Sequence, residues 1–485
     1  MIFSSAPFIF IFLPACAIAY VISRKISVRL PPYVLIAFSI LFYAAWNFEY
    51  CLLLLALTAF NWKLGNALAL RKSRAVLALG VAINLLNLGL FKYSLFAAEI
   101  VRDATGAFLP ILALVLPLGI SFFTFQKIAY LTDCYRGEVG RLRLREFILF
   151  VFFFPQLIAG PIVRAREMIP QLRRLKGESA GFLAGLALFS AGLAKKAVIA
   201  DRVALLVDPV FAAIAGGVPV TPLDAWSAVL AYAFQIYFDF SGYSDMAIGL
   251  GRMFGVELPV NFASPYQARS MIEFWRRWHI TLSRFLRDYL YIPLGGSRRG
   301  ATIRYRNIMI VMLLGGLWHG AGWAFVCWGG LHGIYLVINH LWRGCRAQTL
   351  ALRHLGEGLY SFLAWLLTFA AVTVAWVFFR ASSLSSARLV LSSMAGWGTA
   401  PSQLTNLNGG QAVWLALLLV VVTALPNSNA LFRRELAEPS ALLPPGLVQR
   451  LSWRPTMAWV LLSGLMFMTG VLFMASDSRF LYFQF

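Results

Sequence analysis

LLGGLWHGAGWAFVCWGGLHGIYL, residues 313–336, decides how this chain is read. The run holds no acid, lysine or arginine. It is also long enough to enter a bilayer, which takes about 20 mostly apolar residues. Two histidines, His319 and His332, lie inside it. Ionisable groups at that depth are expensive and mark function by default. On one straight helix this spacing gives roughly 20 Å of rise and nearly opposite faces, so the two could not share a reaction centre. Gly315, Gly316, Gly320, Gly322, Gly329, Gly330 and Gly333 allow the alternative, a break or close helix packing. One of the two histidines is a candidate catalytic base.

Working outward, comparable apolar runs recur at 7–23, 32–48, 76–95, 108–132, 181–200, 222–250, 305–326, 359–379, 410–426 and 457–475, with shorter or broken ones at 50–62, 147–163 and 328–342. The chain is 60% hydrophobic and 13% charged, where a soluble domain is about 25% charged. Its mean hydropathy is +0.74. An all-α polytopic membrane protein follows, with roughly ten to twelve membrane-embedded helices in a single domain over 1–485. The first run lacks a basic leader and reads as a retained helix. The net charge of +22 is accounted for by basic cytoplasmic loops, so membrane lipids are partners and nucleic acid is not. Five cysteines, none in a C-x-x-C pair, read as reduced buried thiols.

Basic clusters orient the spans. Arg24, Lys25 and Arg29 follow the first span, and Lys63, Arg71, Lys72 and Arg74 come two spans later. This places the N-terminus outside. Arg433, Arg434, Arg450 and Arg454 precede the last run, which puts the SDSRFLYFQF tail outside as well. The segment FVFFFPQLIAGPIV, 150–163, has basic loops on both sides, Lys176 among them, and is broken by Pro155, Gly160 and Pro161. A re-entrant loop solves that geometry, and non-helical backbone at membrane depth needs protein or a water-filled cavity to satisfy it.

Residues 269–306 hold nine arginines against Glu273 and Asp288. Within them, Trp275, Trp278, Leu282, Phe285, Leu286 and Tyr289 fall on one stripe, which predicts a single amphipathic helix at the cytoplasmic interface. His279 lies on that stripe, as a packing residue or at a cavity mouth. The stretch QIYFDFSGYSDMAIGLG, 235–251, sets Asp239 and Asp245 among aromatics, either holding helices together or lining a cavity. No phosphate loop, H-E-x-x-H helix or G-x-S-x-G elbow is present, which argues against an ATP-driven pump, a zincin and an α/β-hydrolase. No metal site is expected.

Trp318-His319-Gly320 in its glycine-rich setting resembles the signature of the membrane-bound O-acyltransferases. The stretches FWRRWHITLSRFLRDYLYIPLGGSRRG (274–300), LPLGISFFTFQKIAYLTDCYRG (116–137), FPQLIAGPIVR (154–164), QIYFDFSGYSDMAIGLGRMFG (235–255) and NFASPYQARS (261–270) are similar to the bacterial branch, which includes the membrane subunit of alginate O-acetylation. The resemblance covers essentially the whole chain. It implies a ring or funnel of helices around a central tunnel, with re-entrant segments. It also implies a multi-pass protein of the bacterial inner membrane with both termini periplasmic. No cofactor would be bound, and acetyl-CoA or another acyl-CoA would enter as the donor from the cytoplasm. A periplasmic SGNH-hydrolase-like acetyltransferase would be the partner, with an exported polysaccharide such as alginate as the final acceptor. The family's near-invariant histidine matches His319, and a second conserved position matches His279.

Thioester acyl transfer needs a base for the acceptor hydroxyl, an effect of about 10²–10⁴ in rate. His319 is assigned that role, with His279 orienting it or the thioester carbonyl. Arg276, Arg277, Arg284 and Arg287 are candidates for the CoA phosphates, and Asp239, Asp245, Trp318 and His332 for the tunnel wall. Tyr482, among the phenylalanines of FLYFQF, is a candidate acyl relay, or else an interfacial anchor. Three rival functions are a transporter or flippase of a polysaccharide export system, a lipid-directed O-acyltransferase and a non-catalytic scaffold.

Overall fold

The computed structural model describes residues 2–108, 114–175, 179–346, 356–397, 409–432, 445–474 and 481. Tyr482, Lys176, Arg433 and Arg434 lie outside them. Among the described residues the regular structure is helical, with no strand. Five helices are long and apolar enough to cross a membrane: Phe8–Ile26, Phe48–Leu70, Arg74–Lys92, Trp323–Cys345 and Glu357–Arg380. Three shorter ones, Pro31–Ala44, Gly409–Ala424 and Met457–Leu472, are equally apolar. Their outward leucines face a hydrocarbon solvent. Leu86 is 71% exposed and Leu367 is 73% exposed, values that fit a bilayer better than water.

The chain forms two compact units. One comprises Met1–Ala194, Tyr243–Val260 and Pro455–Asp477, and the other comprises Lys195–Gly242 and Asn261–Arg454 together with Leu481. The long helix Pro222–Met253 contributes to both.

In the first unit, two spans are tied by polar groups. Asn61 and Asn84 exchange amide bonds, with Asn84 Nδ2 donating at 2.7 Å and Asn61 Nδ2 at 3.3 Å. Each also donates to the carbonyl one turn back on its own helix, so neither amide is left bare in an apolar setting. The broken segment is built the same way. The helix Leu144–Phe152 stops, a short turn runs from Phe154 to Leu157, and regular structure resumes only at Ala165. In an unbroken helix the Phe154 N–H would bond the Phe150 carbonyl. Here it donates instead to Ser39 Oγ at 3.2 Å. The released carbonyl accepts from Gln126 Nε2 at 2.9 Å and from Gln156 Nε2 at 2.6 Å. Side chains thus replace the backbone bond that the break removes, as a fully buried segment requires.

In the second unit, Tyr266 is a hub. Its hydroxyl donates to the Ala233 carbonyl at 2.6 Å and accepts from Trp376 Nε1 at 3.1 Å, while its own carbonyl accepts from Trp365 Nε1 at 2.9 Å. The expected single helix over 271–293 is instead broken, with Met271–Arg277 followed by Ile280–Leu286 and a wide turn Arg287–Tyr291. The glycine run is broken as well. One helix, Ala301–His319, ends at the histidine itself, and the next starts at Trp323. Gly316 and Gly329 form the crossing point, where a Cβ on Gly316 would lie 2.2 Å from the Phe325 carbonyl oxygen and one on Gly329 would lie 2.3 Å from that of Met312. Only glycine permits this approach. None of the five cysteines forms a disulfide. Cys16, Cys51 and Cys134 are buried as expected, but Cys327 is only half-buried and Cys345 is exposed.

Candidate functional site

The break after His319 changes the geometry that a straight helix would impose. His319 and His332 sit on different helices, and the Trp328 ring contacts both, with centroids 5.0 Å from His319 and 4.7 Å from His332. The His279 ring lies 6.4 Å from that of His319, and Trp318 is near both, at 6.1 and 4.9 Å. Phe379 closes another side of His319 at 5.1 Å. All three histidines are buried, with His319 4% exposed and the other two 0%. Three imidazoles thus meet in one aromatic enclosure within the second unit.

His279 is held in a conformation rare for a residue with a Cβ, φ 42° and ψ 54°. Among the described residues only Ser264 shares positive φ without being glycine. Such backbone costs on the order of 1–3 kcal/mol and persists where its surroundings over-determine it. Asn261 does so here. Its carbonyl accepts the Ile280 N–H at 3.0 Å. Its side-chain oxygen accepts the Thr281 N–H at 3.3 Å and the Thr281 hydroxyl at 2.9 Å, and lies 3.1 Å from His279 Nδ1.

The Thr281 backbone N–H can only donate, so the Asn261 atom it meets is the oxygen. An amide oxygen can only accept, so His279 Nδ1 carries a proton and Nε2 holds the ring's lone pair. Burial pushes the His279 imidazole down from 6.5 to about 3, so it is neutral at physiological pH.

His332 takes the opposite tautomer. Trp275 Nε1 donates to its Nδ1 at 3.3 Å, which places the proton on Nε2. His332 therefore presents a donor, whereas His279 presents an acceptor at Nε2.

The other expected residues divide. Trp318 belongs to the enclosure. Asp239 is buried in the second unit and is ion-paired to Lys196, its Oδ1 2.6 Å from the ammonium. Asp245 is buried in the first unit. Arg277 is held by Glu273 at 3.0 Å and by the Ala263 carbonyl at 3.1 Å, and so serves local structure. Arg287 pairs with Asp288 at 2.6 Å, and Arg276 is exposed. Two residues of the site went unread in the sequence, Asn261 and Trp328, and so did Lys196 beside Asp239. The pair Lys195-Lys196 at the end of an apolar run was the available signal, because ammonium groups at that depth demand a partner.

Comparison with known proteins identifies the family. The sequence pattern of MBOAT, the membrane-bound O-acyltransferase family, matches residues 32–379, a range that includes all three histidines. The chain is 38% identical to the peptidoglycan O-acetyltransferase of Helicobacter pylori, over 100% of this chain and 98% of that one. It is 37% identical to a probable alginate O-acetylase, AlgI, of Pseudomonas aeruginosa, over 100% of both. Against the teichoic acid D-alanyltransferase of Streptococcus thermophilus the identity is 31%, over 46% of this chain and 57% of that one. The family pattern and the full-length relatives lead to one conclusion: this chain is a multi-pass membrane acyltransferase of the membrane-bound O-acyltransferase family.

Proposed function

We propose that this acyltransferase takes an acetyl group from acetyl-CoA at the cytoplasmic face and delivers it across the bacterial inner membrane for O-acetylation of an exported polysaccharide such as alginate. The observation that carries the reading is the buried pairing of His319 with His279, in a chain whose full-length relatives bear the names of two polysaccharide O-acetylating enzymes. Both of those polymers offer sugar hydroxyls, the acceptor this chemistry needs.

His319 is the general base. It removes the proton of the acceptor hydroxyl as the oxygen attacks the thioester carbonyl, and returns it to the departing CoA thiolate. His279, fixed by Asn261, presents the Nε2 lone pair toward the enclosure and orients the reactants. His332 and Trp318 wall the site. Arg276 and Arg284 are the better candidates for the CoA phosphates, because Arg277 and Arg287 are each already paired with an acid. Tyr482 is the proposed acyl relay, and an SGNH-hydrolase-like acetyltransferase on the periplasmic side completes the transfer.

The test is ester-linked acetate on the exported polysaccharide of a deletion strain carrying either wild-type protein or His319→Gln at equal membrane abundance. The reading expects acetate with wild type alone. Acetate at wild-type level with His319→Gln, or none on any exported polymer with wild type, would overturn it.

A further inference from the structure

A second buried constellation lies in the same unit. Lys196 sits in the wide helical turn Lys195–Ala200, a geometry frequent at functional sites. The residue is 3% exposed. Its ammonium lies 2.7 Å from Asp201 Oδ1 and 2.6 Å from Asp239 Oδ1. Asp201 is partly solvated, with 18% of its side chain exposed, while the Asp239 side chain is 2% exposed. A buried carboxylate with capacity left over seeks a donor. Asp239 Oδ2 finds one 242 residues along the chain, in the backbone N–H of Leu481 at 2.9 Å. Leu481 is itself buried, 5% exposed. The residue next to Asp239 is Phe240, whose ring meets the His279 ring edge-on at 4.8 Å.

We infer that Asp239, held by Lys196 and Asp201, is a positioning residue: it seats the chain at Leu481 one residue away from the wall of the histidine enclosure. The bond goes to a backbone N–H, so the seat does not depend on the Leu481 side chain. Lys196 fixes one carboxylate oxygen and thereby aims the other. Nothing in the seat touches the reacting atoms. Its effect on turnover runs through where it places Leu481.

The inference rests on the proposed reaction only for its effect on turnover, and a labelling experiment separates the two. Full-length protein carrying Leu481→Cys, which keeps the backbone N–H, is treated in detergent with a maleimide, and modification at position 481 is followed by mass spectrometry. Backgrounds are wild type, Asp239→Ala, Asp239→Asn and the double variant Lys196→Met with Asp239→Leu. The double variant guards against misfolding, since an apolar pair in place of a buried ion pair is often tolerated.

Modification is expected to be slow in wild type and in Asp239→Asn, whose amide oxygen still accepts. It should be about 10- to 100-fold faster in the other two backgrounds, the range that follows from losing a hydrogen bond to a charged group. With acetyl-CoA, kcat is expected to fall in those same two backgrounds while KM stays unchanged. Equal labelling in all four backgrounds overturns the seat. Labelling that changes while kcat does not overturns its positioning role. A seat that passes the labelling test in a protein with no acyl-CoA turnover would count against the proposed reaction instead.

Discussion

Replacing Gly329 by alanine tests the crossing that brings the histidines together. The added Cβ would lie 2.3 Å from the Met312 carbonyl oxygen, against ordinary contact from 3.4 Å. The clash is with backbone, which no rotamer change relieves, so the two helices must part by about 1 Å. Gly329 adjoins Trp328, whose ring touches both His319 and His332. Overpacking of this kind costs about 1–3 kcal/mol, and a displacement of about 1 Å at a reaction centre can cost about 10²-fold in rate. The neighbouring Gly330 is an internal control, because its Cβ would meet only a leucine methyl at 3.6 Å. The assay is thermal unfolding in detergent together with acetyl-CoA thioester cleavage. Gly329→Ala should lose both stability and turnover, while Gly330→Ala should match wild type or gain slightly from the better helix former. Equal behaviour of the two variants would refute the reasoning, since it would mean that the crossing does not set the site.

Asn261→Ala removes the acceptor shared by His279, Thr281 N–H and the Thr281 hydroxyl. Each buried donor left bare costs about 1–3 kcal/mol, so the melting temperature should drop by more than a surface substitution would cause; an unchanged melt contradicts the lock. His279 has a folded pKa of about 3 against 6.5, so its contribution to stability is complete above pH 6.5 and is lost as pH falls from there toward 3. Wild type should therefore lose about 1 kcal/mol more than His279→Asn between pH 6.5 and 5.5, read from melts at both pH values; parallel pH dependence of the two would reject a buried neutral ring. Gln126→Leu and Gln156→Leu each leave the Phe150 carbonyl one donor, so the single variants should be mild. The double variant should cost about 1–3 kcal/mol beyond their sum, and a strictly additive double by the same melts would show that the carbonyl does not depend on them.

Much of this was legible beforehand, for reasons tied to individual residues. The glycines around His319 signalled a break because nothing else in an apolar run gives the backbone that freedom, and the helix does end at that histidine. Pro155 and Gly160 announced the second break, though not the two glutamines that satisfy it. The split at His279 was hidden. Trp275, Trp278, Leu282 and Phe285 keep helical spacing straight through it, so periodicity reads as one helix. What breaks the helix is long-range. Ala263 N–H takes the Arg277 carbonyl, and Asn261 takes the N–H groups of Ile280 and Thr281. Bonds of that kind leave no local pattern. Asp239 was visible as a polar group among aromatics, but its partners Lys196 and Leu481 come from opposite directions along the chain, and single-sequence reading has no means of pairing them.

The most direct test of the central claim uses purified protein in detergent with radiolabelled acetyl-CoA, comparing wild type with His319→Ala of equal melting temperature. Thioester cleavage and transfer of label by wild type, falling about 10²–10⁴-fold in the variant, is the predicted result. Equal turnover by both proteins would remove His319 from the chemistry and contradict the account.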